Sequence, residues 1–459
     1  MTIEQIYNIY LQSRNVVTDS RSITPGCIFV AFRGEHFDGN SFVPQALEQG
    51  AALCIISDER YRMDDRCIVV DDTLSTLQQL AAFHRAHLNI PVIGITGTNG
   101  KTTTKELIHA VLSRRYRTSA TRGNLNNHLG VPLTLLAIPA DCEIAIVEMG
   151  ANHPGEIADL CRIANPDFGI ITNVGYAHLE GFGGFEGVVR TKTELYRHLA
   201  SRHGVAFVNA DSDILLQQAS RLATIPETDS LIPAYAPGQP ILSPEALSQC
   251  PLGIVTYGST SDADYRCSFI ASDPYMRCYF EVDDNVYTIQ SHLLGAYNFD
   301  NAMAAIAIGR HFRVDPFLIK QALEEYTPSN NRSQMLQTGS NRLYLDCYNA
   351  NPSSMHAALD TFCQLTAPHK SVILGGMREL GKASAEEHRK LVDRLSEMHL
   401  DHIILIGHEF DGLRMPDTWL RFPDVNALLA HLRQHPLNGQ TILVKGSNSN
   451  RLWQVQEAL

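Results

Sequence analysis

The sequence predicts an α/β chain of three domains, and three observations lead there. Short apolar runs alternate with helically spaced ones along nearly the whole length, the pattern of strands and helices stacked in layers. At 459 residues the chain is too long for one ordinary hydrophobic core. Hydrophobic residues make up 44% and charged residues 19%, which places it among globular proteins.

The elements read as follows. Residues 1–88 form a small α/β section, with "CIFVAF" and "AALCIISD" as strands and "FVPQALEQG" as a helix between them. Residues 89–328 form a central section of strand-then-loop units, "PVIGITG", "EIAIVEMG", "FGIITNVG" and "GVAFVNAD". This repetition predicts a mainly parallel sheet. Within it, 224–251 is rich in Pro and Ser and reads as a surface insertion, while "YRCSFIASDPYMRCYFEVDDNVYTIQSHL" reads as antiparallel strands. Residues 329–459 return to alternation, with "RLYLDCYN", "KSVILGG", "DHIILIG" and "QTILVKG" as strands of a Rossmann-like domain. No repeat of fixed period and no low-complexity tract interrupts them.

Composition excludes several function classes. The formal charge is −12 and no basic stripe appears, so nucleic acid is not expected as a partner. The opening "MTIEQIYNIYLQSR" lacks the charged-then-apolar pattern of a secretory signal, and no apolar run approaches 18 residues, so membrane insertion is not expected. The ten cysteines contain no C-x-x-C pair. They are expected to be free, mostly buried thiols in a reducing cytoplasm, not zinc ligands or disulfides.

The chemistry begins at "PVIGITGTNGKTTTKELI", Pro91 to Ile108. The common phosphate-loop spacing would need glycine at position 95, but that residue is Ile95; Gly94 comes one residue early and Gly97 two late. The context is right even so. A buried strand runs into the turn Gly97-Thr98-Asn99-Gly100, and a helix starting near Lys101 carries Leu107, Ile108, Val111 and Leu112 at helical spacing. Backbone amides and the helix dipole would face an anion there, Lys101 would add a point charge, and Thr102 a hydroxyl for Mg²⁺. The plainer alternative is a glycine turn with a solvated lysine. Glu148 ends the next apolar run, where a parallel strand would deliver it beside the loop as a Mg²⁺ ligand or as the cap of the following turn. His178 falls in the loop after "FGIITNVG" and Lys192 on the helix "FEGVVRTKTELYRHL"; taken alone, His178 reads as a surface polar group and Lys192 as a surface cation.

Together these pieces resemble the Mur ligases, the ATP-dependent amide-forming enzymes of peptidoglycan precursor synthesis, which share a "GTNGKTT"-type loop. From about residue 16 to the end, "TDSRSITPGCIFVAFRGEHFDGNSFV", "GNLNNHLGVPLTLL", "EMGANHPGEIADL", "AHLEGFG", "YNANPSSM" and "ILVKGSNSNR" extend the resemblance. "GNLNN" with "YNANPSSM" is similar to the branch that adds D-alanyl-D-alanine to UDP-N-acetylmuramoyl-tripeptide. The resemblance implies a UDP-binding first domain with Thr18, Asp19, Ser20, Arg21, Arg33 and Gly34 near the uridine. It implies a central P-loop-type ATPase domain in which Gly97, Thr98, Asn99, Gly100, Lys101, Thr102 and Thr103 cradle ATP. Thr102, Glu148, His178 and a carbamylated Lys192 would hold two Mg²⁺ ions, with Lys101, His178 and Lys192 as the catalytic groups. Asn298 and Asn301 would lie near the nucleotide, and Arg332 and Asp346 would reach ATP on domain closure, or else form a salt-linked interdomain surface. Asn124, Asn126, Asn127, Asn349, Asn351 and Lys445 would contact substrate. A cytoplasmic monomer is expected.

The chain departs from the family pattern at Tyr297, where many members have His, and at Gly376, where many have Asp. Two readings compete with this one. A sister ligase or a folylpolyglutamate-type ligase would lack "GNLNN" and "YNANPSSM". An ATP-binding regulatory protein would turn over ATP slowly and indifferently to peptide.

Overall fold

The computed structural model describes residues 1–35, 37–222, 252–329 and 331–459. The expected insertion at 224–251 lies outside the described residues. Among them, three main sheets organise the chain. The first is parallel, in the order Val16–Val17, Ile28–Val30, Leu53–Ile56, Cys67–Val69. On one side of it the helices Ile3–Ser13 and Thr73–His87 pack together, and the Tyr7 and Tyr10 hydroxyls both meet the buried His84 ring.

The second sheet has nine strands. From one edge it runs Thr118–Ala120, Ile144–Glu148, Val92–Thr96, Phe168–Ile171, Val205–Asn209, Gly253–Gly258 and Tyr265–Ser272, all parallel. Tyr275–Val282 and Asn285–Leu294 close it as the expected antiparallel meander. The strand Val92–Thr96 is wholly buried in the sheet's interior, and its carboxyl end opens where ligands bind in such sheets. The helix Lys101–Leu112 follows it, with Leu107, Ile108, Val111 and Leu112 all 0% exposed against the helix Asn298–His311.

The third sheet runs Gln334–Thr338, Asn341–Asp346, Thr441–Lys445, Lys370–Gly375, His402–Ile406, Leu420–Phe422, parallel except for its first strand. This is the Rossmann-like layer expected from the sequence. Nine cysteines are described; all are free and eight are buried. Among the described residues no helix is long and apolar enough to cross a membrane.

One element differs from expectation. "FEGVVRTKTELYRHL" is two helices, Phe185–Lys192 and Glu194–Ala200, not one. The break falls at Thr193, whose hydroxyl donates to the carbonyls of Val189 and Arg190 and so competes with the helix's own ladder.

Candidate active site

The loop after Val92–Thr96 is held by its neighbour strand. Thr98 N–H donates to Asn173 O (2.9 Å) and Asn99 N–H to Asn173 Oδ1 (3.0 Å). Thr172 Oγ1 and Asn173 Nδ2 return bonds to Asn99 O (2.6 and 3.0 Å). Only glycine fits at the two turn positions. Gly97 has φ +143° and a Cβ there would lie 2.0 Å from Thr172 Oγ1; Gly100 has φ +78° and a Cβ would lie 2.4 Å from Asn301 Oδ1. The helix then starts at Lys101, and its first amides have no intrahelical partner. The Lys101 ammonium folds back onto Gly97 O (2.8 Å) and Thr98 O (3.0 Å). Burial lowers its pKa, and nearby Glu148 partly offsets this.

Glu148 sits at the end of Ile144–Glu148, in parallel register with Ile95. It is 1% exposed. Its Oε1 accepts from Thr102 Oγ1 (3.2 Å) and Asn126 Nδ2 (2.7 Å), while Oε2 is buried with no partner. A buried carboxylate oxygen left bare beside a hydroxyl fits a hard divalent cation such as Mg²⁺. "GNLNN" thus brings Asn126 to the carboxylate. Asn127 also lines the cleft, whereas Asn124 is exposed outside it.

His178 lines the same cleft, its Nδ1 against the Glu379 carboxylate of the third sheet's domain. Burial lowers its pKa, Glu379 opposes that, and Lys101 and Lys192 reinforce it. Lys192 is 2% exposed, so it is not a surface cation. Its Nζ lies 3.3 Å from Ala151 O and over the Phe182 ring, 5.3 Å from the centroid. Burial first, then Lys101, push its pKa well below the ordinary lysine value.

Asn301 accepts from Thr104 Oγ1 (2.9 Å) and donates to Asn298 Oδ1 (2.8 Å), while Asn298 donates to Leu294 O (2.7 Å). Opposite them, the Arg332 guanidinium stacks 3.5 Å above the Tyr348 ring. Asp346 accepts from the buried Lys445 ammonium at 2.6 Å, which also reaches Asn349 O (3.2 Å). Asp346→Ala should therefore leave a buried ammonium with no charge partner and destabilise the fold by about 3–5 kcal/mol, read from the urea midpoint. Unchanged stability would show that the pair is not coupled as described.

Asn351 caps the helix Pro352–Gln364, and its Nδ2 donates to Asn99 Oδ1 at 2.8 Å, tying the third sheet's domain to the phosphate loop. Tyr297 Oη meets Ser333 Oγ (2.8 Å) and Tyr344 Oη (2.5 Å). At Gly376 a Cβ would lie 2.3 Å from Glu409 Oε2.

Most of the candidate residues line one cleft of about 1060 Å³ between the second and third sheets. The structure does not bring every candidate there. Thr18, Asp19, Ser20 and Arg21 form a half-buried turn in which Asp19 caps Ser20–Ser22 and pairs with the exposed Arg21 at 2.6 Å; Arg33 and Gly34 form an exposed two-residue strand. None of the six lines the cleft, and Gly97, Lys192 and Asn351 stand just behind its wall. Asn173 lies within "FGIITNVG" and Tyr348 and Ser353 within "YNANPSSM", but the sequence did not single them out there; Glu379 lies outside the quoted stretches.

A strand, glycine loop and helix facing a second α/β domain define a P-loop-type, nucleotide-dependent enzyme whose site is completed across a domain cleft. Three family models match the chain: "Mur ligase family, catalytic domain" over residues 13–85, "Mur ligase middle domain" over 95–227, and "Mur ligase, glutamate ligase domain" over 331–448. The chain belongs to the Mur ligase family. It is 34% identical to the UDP-N-acetylmuramoyl-tripeptide--D-alanyl-D-alanine ligase of Bacillus subtilis, across 97% of this chain and 92% of that one. Among solved structures it is similar to MurF from Acinetobacter baumannii (30% identity, TM-score 0.80, 96% of this chain and 92% of that one). It is also similar to MurF ligase from Thermotoga maritima in complex with ADP (27%, TM-score 0.80, 98% and 97%).

Proposed function

We propose that this protein joins D-alanyl-D-alanine to UDP-N-acetylmuramoyl-tripeptide, using ATP and passing through an acyl phosphate, to give the UDP-linked pentapeptide, ADP and phosphate. One observation carries the reading: a single cleft sets the Lys101 loop, Glu148 and His178 against the Asn349–Asn351 turn of the facing domain. A free carboxylate does not condense with an amine in neutral water. Transfer of the γ-phosphoryl group to the tripeptide's terminal carboxylate supplies a leaving group, and the dipeptide amine then attacks the acyl carbon and expels phosphate.

Since the reacting groups are anionic, the chain's task is positioning and neutralisation. Lys101 swings from its loop carbonyls to the phosphates, and the amides at the helix start face the same oxygens. Glu148 Oε2, Thr102 Oγ1 and His178 would hold Mg²⁺, two ions with a carbamylated Lys192, and bound Mg²⁺ supplies charge neutralisation at the phosphates. Asn298 and Asn301 fix the nucleotide side, while Arg332, Asp346 and Lys445 approach from the facing domain. That domain also excludes water, which would hydrolyse the acyl phosphate. The Thr18–Arg21 turn with Arg33 and Gly34 would take the uridine end of the long acceptor. We divide the chain at 88/89 and 328/329, and place it in the cytoplasm as a monomer.

ADP release is expected to require UDP-tripeptide and D-alanyl-D-alanine together, in a coupled assay that omits each in turn. Equal rates without the dipeptide would instead support a nucleotide switch.

A further inference from the structure

We propose that Glu379 is a positioning residue for His178, so that the cation site of the central domain is complete only while the C-terminal domain is seated on it. This rests on His178 being a cation ligand, as assigned above.

The contact is built from both sides. His178 has φ +50° at the start of the short helix Leu179–Phe182, and Glu379 has φ +62° in the turn after Lys370–Gly375. Left-handed backbone is unfavourable for both residue types and persists only where the surroundings impose it. The two turns also pack directly. Gly381, φ +52°, lies so close to Glu180 that a Cβ would fall 2.9 Å from Glu180 Cβ, and Gly381–Ala383 packs on Leu179–Phe182. The Phe182 ring meets the imidazole edge-on at 6.2 Å.

The chemistry of the pair then follows. An ionised carboxylate only accepts hydrogen bonds, whereas a neutral imidazole has one N–H and one lone pair. The Glu379 carboxylate lies in ion-pair contact with the buried Nδ1 but out of line for a hydrogen bond; drawn into line, it would hold the Nδ1–H tautomer and leave the Nε2 lone pair for a cation. His178 lines the same cleft as Lys101, Thr102 and Glu148, so the ring stands among the groups of the phosphate site. Glu379 itself is 59% exposed and belongs to the facing domain, so the carboxylate departs when the domains separate. A pair with one partner this exposed adds little to folding stability, which frees it to act on ring orientation.

The test is Mn²⁺ binding to the full chain with a non-hydrolysable ATP analogue, followed by the electron paramagnetic resonance signal of free Mn²⁺. Glu379→Ala is expected to weaken one Mn²⁺ site by about 10- to 100-fold. Glu379→Asp, which withdraws the carboxylate by one methylene, should show the same loss even if the alanine variant folds poorly. Glu379→Gln, which still accepts a hydrogen bond, should recover most of the affinity. His178→Ala should lose the same site, and adding Glu379→Ala to it should weaken binding no further. Wild-type affinity in both Glu379→Ala and Glu379→Asp, with the loss confined to His178→Ala, would overturn the proposal alone. Wild-type affinity in His178→Ala would overturn the ligand assignment as well.

Discussion

Replacing Lys101 with alanine is expected to lower turnover by about 10²–10³, the usual effect of removing one charge-stabilising contact at a reacting centre. The fold should survive, because the ammonium's partners are the carbonyls of Gly97 and Thr98 in its own loop, and the helix it starts is anchored by Leu107, Ile108, Val111 and Leu112. Lys101→Arg should not restore activity: a planar fork cannot replace a compact ammonium beside carbonyls set at 2.8 and 3.0 Å. Steady-state kinetics with matched circular dichroism spectra decide the point. A Lys101→Ala enzyme keeping more than about a tenth of its activity would remove the lysine from the site of charge transfer.

The second large effect is expected at Lys192. Burial and Lys101 favour its neutral amine, and that amine has a lone pair to give. Attack of the nitrogen on CO₂ forms an N–C bond, moves one C–O π pair onto oxygen and releases the nitrogen's proton to solvent. The product is a carbamate with two hard oxygens, suited to Mg²⁺. Carbon-13 NMR after equilibration with labelled bicarbonate should show one carbamate signal that disappears in Lys192→Ala, together with most of the turnover. If the signal is missing from the wild-type enzyme, or Lys192→Ala turns over normally, Lys192 is an unmodified buried lysine.

What could be read from the sequence was local. The strand, glycine turn and helix were legible because Val92–Thr96, Gly97, Gly100 and Lys101–Leu112 follow one another without a break in pattern. Glu148 followed from strand geometry alone, since parallel register brings the end of one strand beside the start of the next loop. The break at Thr193 was not legible, because a side-chain hydroxyl competing with the helix ladder leaves the apolar spacing intact. Contacts between domains were hidden for another reason. Asn351 reaches Asn99 across 252 residues, and Glu379 reaches His178 from an exposed turn. Nothing in either segment records its partner. Tyr348 beneath Arg332 shows the same limit: four apolar and polar neighbours in "DCYNA" give no sign that the ring faces a guanidinium. The Asp19–Arg21 turn illustrates the converse, a motif whose geometry is plain but whose ligand only resemblance suggests.

The acyl phosphate is the centre of this account, and one labelling experiment addresses it directly. UDP-tripeptide carrying oxygen-18 in its terminal carboxylate would be turned over with ATP and D-alanyl-D-alanine, and the released phosphate analysed by mass spectrometry. Carboxylate attack on the γ-phosphorus, followed by amine attack on the acyl carbon, leaves one carboxylate oxygen on phosphate. The account predicts one peptide-derived oxygen-18 per phosphate released from fully labelled substrate. Phosphate free of peptide label while amide bonds form would contradict it.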